Sequence, residues 1–426
     1  QMVEQYITSV HVTCGIYEES VKSGTESSMF HDHGLNIEPA SIIKKYTSLP
    51  VGAVGGINSP EQVDKAIADG KIDFAIFGRQ MLADPNFAQK CMDGDEAQIR
   101  RCLRCYKCFP GSPEEGYDDL PFTSEELAVY VGHCTINPLA HLPFDIDQLP
   151  APENGSQKVL IVGGGIAGIQ AAITAAERGH KVTLAEKSDK LGGLLYFTDV
   201  DIDKPDLRNF KDMMIREIKR HDVEILMNTE VTPEFIKEFG ADAVIFATGS
   251  VPSCPPINGI ENAQQAMSVY DGTCKPGKKV VMIGGGLVGC ETGLYLQKTG
   301  HEVTVVEMLD RVANESFGMY REALVWEMEK NNMTMLPKTK CLEITPNSVK
   351  IENEDGVQEL EADTVLYALG MKSVDYSALK EAAGDAKVFV IGDAIHPGKV
   401  DQCTRTGYIA ALKVGASEES IAYIQE

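Results

Sequence analysis

Short apolar runs alternate with amphipathic stretches along most of the chain. SVHVTCG (9–15), LPVGAVGGI (49–57) and DFAIFGR (73–79) read as buried strands. Between them PASIIKKYT and SPEQVDKAIADG read as helices, the second started by Ser59 and Pro60. Repeated βα units of this kind predict a parallel sheet or barrel. Residues 91–150 lose the alternation and are rich in Cys, Pro and Gly, and LPAPENGSQ (149–157) is a linker by composition. From Lys158 onward the α/β pattern resumes and runs to the end.

Length and charge narrow the picture. With 426 residues, 43% of them hydrophobic, two or three domains with sizeable cores are expected. The net charge of -24 argues against nucleic-acid partners and anionic membrane surfaces. No apolar run approaches the roughly 18 residues that span a bilayer. The opening QMVEQYITSVHV has neither a basic region nor an apolar one, so it is not a signal peptide. It also lacks the signals that open a domain, and reads as though the chain begins inside something larger. Eleven cysteines without a leader point to a reducing cytoplasm, with thiols available for metal.

Two glycine turns carry the strongest chemistry. KVLIVGGGIAGIQAAITAAERGHKVTLAEK places Gly163, Gly165 and Gly168 in G-x-G-x-x-G after a strand and before a helix. Gly163 permits the tight turn, Gly165 lets backbone approach a pyrophosphate, and Gly168 lets the helix pack on the strand. The next strand, KVTLAE, ends in Glu186, where a carboxylate can take a ribose 2′-hydroxyl. KKVVMIGGGLVGCETGLYLQKTGHEVTVVEM repeats the pattern with Gly284, Gly286, Gly289 and Glu307. A carboxylate at Glu307 repels a 2′-phosphate and favours NADH, while nearby Arg311 keeps NADPH open.

ADAVIFATGS (241–250), with Thr248 and Gly249, and VFVIGDA (388–394) resemble pieces of the glutathione and thioredoxin reductase superfamily. That resemblance implies FAD on the first unit, completed by Gly192, Gly193, Gly392 and Asp393, and a nicotinamide nucleotide on the second. A redox cysteine pair does not follow Gly192-Gly193. Cys290 has no C-x-x-C partner and reads as a small buried filler.

RRCLRCYKCFPG sets Cys102, Cys105 and Cys108 at two-residue gaps, and Cys134 follows in VGHCTINP. Four such thiolates suit a [4Fe–4S] cluster, with Zn²⁺ as the alternative. Cys91 is a spare, and His133 reads as a neighbour rather than a ligand. In a (β/α)8 barrel the loops after strands 7 and 8 commonly bind phosphate, so Gly55, Gly56, Gly78 and Arg79 are candidates to grip FMN.

The order of GGI and IFGRQMLADPNFAQK, a cysteine run, an FAD unit and a nicotinamide unit resembles the multidomain old yellow enzyme family, of the 2,4-dienoyl-CoA reductase and trimethylamine dehydrogenase type. The resemblance implies a barrel whose first strands precede Gln1. It implies a circuit from NADH (or NADPH) through FAD and the cluster to FMN, which reduces the C=C of an unsaturated carbonyl compound. Members often carry a His after the sixth strand; CGIYEES puts Tyr17 there, as proton donor or as rim packing. The second cysteine gap and the stretch before Cys134 both depart from the family's spacing. His31 and His33, in MFHDHGLN, read as a solvated loop, with a place facing the substrate as the alternative.

The fold class is therefore α/β: the C-terminal part of a (β/α)8 barrel (1–90), a cluster segment and linker (91–150), and two Rossmann-like units. The FAD unit is split (151–265 and 373–426) around the nicotinamide unit (266–372). Amine or alcohol oxidation of the trimethylamine dehydrogenase type, or a diaphorase fragment, are the rival activities. A homo-oligomer is left open.

Overall fold

The computed structural model describes residues 4–16, 19, 21–109, 132–142, 144–316 and 318–424. The three N-terminal runs pair as a parallel sheet. β1 (Val10–Val12), β2 (Val51–Ala53) and β3 (Phe74–Ala75) lie in that order, with Val10 opposite Val51 and Gly52 opposite Phe74. The strands are shorter than the apolar runs. Beyond β2 the chain turns at Gly55 and Gly56, whose φ of 122° and 66° suit glycine. The helices Ile37–Lys44 and Pro60–Ala68 bury Ile37, Ala40 and Ala66 against Val12, Val51 and Ala53. Ser59 caps the second helix as its sequence predicts, accepting the Gln62 N–H at 3.3 Å.

Two five-stranded parallel sheets follow. The first contains β4 (Lys158–Val162), β5 (Lys181–Ala185), β6 (Val223–Leu226) and β7 (Ala243–Phe246). The chain then leaves through β8 (Ser250–Pro252) to build the second sheet from β9 (Gln264–Gln265), β10 (Lys279–Ile283), β11 (Glu302–Val306) and β12 (Thr334–Leu336). An antiparallel meander of β13 (Lys340–Ile344), β14 (Ser348–Asn353) and β15 (Gly356–Glu361) leads into β16 (Thr364–Tyr367). The chain returns through β17 (Met371–Ser373), antiparallel to β8, and closes the first sheet with β18 (Lys387–Val390). The orders are β18-β7-β4-β5-β6 and β9-β16-β10-β11-β12, so the two sheets are built to one plan. β9 lies before residue 266 yet is the edge strand of the second sheet.

The helix Ile166–Glu177 is buried from Ile166 through Ala175, because the sheet covers one side and the helix Val400–Lys413 the other. The two helices touch at Gly407, where a Cβ would stand 2.5 Å from the Ala167 carbonyl oxygen. The cysteine segment is wedged between units. Leu103 and Ile136 share the core of the first Rossmann unit, while Tyr106 joins that of the second. Among the described residues no helix is long and apolar enough to cross a membrane.

Candidate functional site

The first glycine turn sits where β4 meets its helix. Gly163 has a φ of 112°, and a Cβ at Gly168 would lie 2.0 Å from the Gly163 carbonyl oxygen. Both positions thus demand glycine. Among the described residues a Cβ built on Gly165 would find only the Gly193 Cα within 4 Å, at 3.9 Å, so the helix N-terminus has room for an anion. Glu186 is buried beside it, accepting the Gly164 N–H at 2.7 Å and the Ser188 N–H at 2.8 Å. A carboxylate offers about four lone-pair positions, so capacity for a ribose hydroxyl is left.

Gly192 and Gly193 return to this turn, with the Gly192 N–H donating to the Gly164 oxygen at 2.8 Å. Thr248 follows β7, and its buried Oγ1 has no hydrogen-bond partner among the described residues. Such an orphan is what a bound polar group would satisfy. Gly392, at a φ of 57°, and Asp393 follow β18. Asp393 accepts the Ser250 hydroxyl at 2.6 Å and the Gly398 N–H at 3.1 Å.

The second turn repeats these contacts. Gly284 has a φ of 98°, and a Cβ at Gly289 would lie 2.0 Å from the Gly284 oxygen. Glu307 accepts the Gly285 N–H at 2.6 Å and the Leu309 N–H at 2.7 Å. Arg311 is exposed and donates to Asn314 at 2.5 Å. Cys290 is buried, its thiol pushed up to about 12 by burial, and it donates to the Gly285 oxygen at 3.2 Å.

Cys102, Cys105, Cys108 and Cys134 line one cavity of about 310 Å³, part of it open to solvent. Burial pushes the Cys102 thiol up to about 11 and those of Cys108 and Cys134 up to about 12. Thiols so placed give up their protons only to a strong local positive charge, as iron supplies. Among the described residues no group of three or more His, Cys, Asp or Glu side chains could hold a single metal ion. Four thiols around one chamber could hold a [4Fe–4S] cluster or Zn²⁺. Cys91 lies outside this cavity, while His133 lines it and meets the His141 ring at a tilt of 58°, with centroids 4.9 Å apart.

A second cavity, of about 280 Å³, is walled by Gly56, Gly78, Arg79, Cys102 and Arg104 among others. Arg79 and Cys102 border both cavities. The Arg79 guanidinium donates to the Ser27 oxygen at 2.8 Å and lies 5.4 Å from the Tyr106 ring centre. Its Nη1 is buried without a partner among the described residues, as a phosphate-binding group would be before its anion arrives. Gly55 is turned away, toward Asn36, whose Nδ2 would lie 3.0 Å from a Cβ there. Tyr17 lies outside the described residues.

His31 and His33 are not in a solvated loop. His33 Nδ1 is 2.5 Å from the Gly56 oxygen and its Nε2 is 3.1 Å from Asp206 Oδ1. His31 stacks on Trp326 at 5.6 Å. Both are held by parts of the chain that the local sequence cannot show. Arg104 is a further residue that spacing does not single out. It takes a φ of 54° between two of the cysteines and is buried. Its guanidinium donates to the His31 oxygen at 2.5 Å and to Asp206 at 3.3 Å. Asn58 donates to the same carboxylate at 3.1 Å. Burial opposes the Asp206 charge, but the His33 hydrogen bond and the charges of His33 and Arg104 outweigh it and hold the carboxyl below its usual range.

Comparison with known proteins agrees with this layout. Residues 9–98 match the family described as NADH:flavin oxidoreductase / NADH oxidase, and residues 157–407 match that described as pyridine nucleotide-disulphide oxidoreductase. The chain is similar to an NADH oxidase of Thermoanaerobacter brockii, 36% identical over 418 residues, covering 95% of this chain and 61% of the relative. It is similar to a cinnamate reductase of Clostridium sporogenes, 33% identical over 371 residues, covering 86% of this chain and 53% of the relative. A solved 2-naphthoyl-CoA reductase complexed with 2-naphthoyl-CoA superposes with a TM-score of 0.82 at 28% identity, covering 96% of this chain and 60% of that one. The chain thus spans between 53% and 61% of the length of these curated relatives.

Proposed function

The chain belongs to the multidomain old yellow enzyme family of the trimethylamine dehydrogenase type, and from that premise we propose that it is part of an NADH-dependent iron–sulfur flavoenzyme reducing the C=C bond of an enoyl or enone substrate. One observation carries this reading: a chamber lined by four cysteines shares a wall with the barrel's glycine cavity and lies against the core of the first Rossmann unit. Relatives named for cinnamate and 2-naphthoyl-CoA reduction point toward an unsaturated carbonyl substrate.

In this reading Gly163, Gly165, Gly168, Gly192 and Gly193 admit the FAD pyrophosphate. Glu186 takes its ribose, and Thr248, Gly249, Gly392 and Asp393 close over it. Gly284, Gly286, Gly289 and Glu307 do the same for NADH. Cys102, Cys105, Cys108 and Cys134 hold the [4Fe–4S] cluster, and Gly56, Gly78 and Arg79 hold the FMN phosphate, with Gly55 shaping the loop behind them. When bound, these groups supply hydride uptake at FAD, single-electron transfer through the cluster and hydride delivery at FMN. Arg79 sets a fixed positive charge between the two chambers, where both the phosphate and the thiolates are anionic. The domain boundaries expected from the sequence are proposed with these assignments, the nicotinamide unit being extended to include β9. Tyr17 is proposed to donate a proton or a hydrogen bond in the substrate pocket, in place of the family's His.

The test is anaerobic. NADH is expected to bleach the flavin of the complete protein, and an α,β-unsaturated thioester or ketone to restore it. Reduction of dyes without turnover of any enone would overturn the ene-reductase reading and leave a diaphorase. Stoichiometric zinc without iron would end the cluster assignment.

A further inference from the structure

The two glycine turns are built alike and differ at one place. In the first, the loop after β5 returns through Gly192 and Gly193, and among the described residues nothing but the Gly193 Cα comes within 4 Å of a Cβ built on Gly165. In the second, the loop after β11 returns in the same manner. The Ala313 N–H donates to the Gly285 oxygen at 2.7 Å, matching the bond from Gly192 to Gly164, and Ala313 takes a left-handed φ of 51° where Gly192 has 105°. Two residues on stands Glu315. Its Oε1 accepts the Leu287 N–H at 2.5 Å and lies 2.8 Å from where a Cβ on Gly286 would be. Leu287 is the first residue of the twelve-residue helix Leu287–Lys298. Lys399, from the returning half of the first unit, donates to the Glu315 carbonyl at 2.6 Å and fixes the loop.

We propose that Glu315 determines binding in the nicotinamide unit: its carboxylate occupies the helix N-terminus that a dinucleotide pyrophosphate needs, so the cofactor enters by exchanging one anion for another. The inference rests on reading the second unit as a pyridine-dinucleotide site. A carboxylate and a pyrophosphate compete for the same N–H groups and repel one another. The FAD seat, lined by glycine, has no such competitor among the described residues. One unit is thereby suited to retain its nucleotide and the other to exchange it.

NADH binding is read by equilibrium dialysis against the protein with its flavin already reduced, so that no hydride transfer consumes the ligand. Glu315 is exposed, and its replacement leaves the core untouched. Glu315→Gln and Glu315→Ala are expected to bind NADH about three- to tenfold tighter than the wild type at low salt, with the gap narrowing as salt screens the charge. FAD content is expected to be unchanged. Equal or weaker NADH binding by both variants would overturn the proposal and show Glu315 to be indifferent or a cofactor ligand. NADH binding by none of the three proteins would remove the nicotinamide reading, and the proposal with it.

Discussion

At Asp206 one buried carboxylate ties three regions together. It meets His33 from the barrel portion, Arg104 from the cysteine segment, and belongs itself to the first Rossmann unit. Removing it strands a buried guanidinium, so Asp206→Ala is expected to cost about 3–5 kcal/mol in chemical denaturation. Because its folded carboxyl titrates below the unfolded one, its stabilisation is complete above the ordinary Asp range near 3.8 and is lost as pH falls through the lower folded value. A stability–pH profile of the variant is expected to lose that acid limb. Each of Cys102, Cys105, Cys108 and Cys134 changed to Ala is expected to lower bound iron and sulfide, whereas Cys290→Ala keeps both. Cys102, Cys105, Cys108 and each glycine turn were legible because their spacing lies within one short stretch of chain, and Cys134 only through its own run VGHCTINP. Arg104, Asp206 and His33 were not, because their partners lie 71 to 173 residues apart in sequence and only folding brings them together.

The turn-helix elements carry a sharper test. A Cβ at Gly168 or Gly289 would press on a backbone carbonyl at 2.0 Å, which cannot yield as a side chain would. Each Gly→Ala change is expected to cost about 1–3 kcal/mol by overpacking. They are expected to differ in ligand: Gly168→Ala loses FAD on gel filtration, while Gly289→Ala keeps FAD and loses NADH binding. Elements of this kind were readable from sequence because apolar period, glycine turn and distal acid agree locally. Strand ends were read too long. LPVGAVGGI yields a strand only over Val51–Ala53, since Gly55 and Gly56 take φ of 122° and 66° and the chain must turn there. The small edge strand β9 has no apolar pattern at all, and only its pairing with β16 reveals it.

Across the whole molecule the two Rossmann units are held by a buried polar cluster. Lys204 of the first unit donates to Glu291 at 2.5 Å and to the Tyr320 hydroxyl at 2.9 Å, both of the second, and Tyr320 in turn donates to Glu291. Glu291→Leu leaves the ammonium buried and unpaired and is expected to lower stability by about 3–5 kcal/mol. The double change Lys204→Met with Glu291→Leu is expected to recover most of that loss, and a double-mutant cycle on thermal unfolding measures the coupling. The sequence places both units but not this contact, which depends on how they are set against each other.

The split of the first sheet has a further consequence, for how the protein is made. β18 and the helix Val400–Lys413 come after the whole inserted unit, whose sheet is already complete at Tyr367. On the ribosome the inserted unit can therefore fold while its host still lacks an edge strand and the helix that covers Ile166–Glu177. The host's open half must wait, its apolar helix unprotected, until the last part of the chain emerges. Completion of the first glycine-turn site is then a late event of biogenesis, and a chain released before Lys387 would carry a finished inserted unit beside a first Rossmann unit that cannot close.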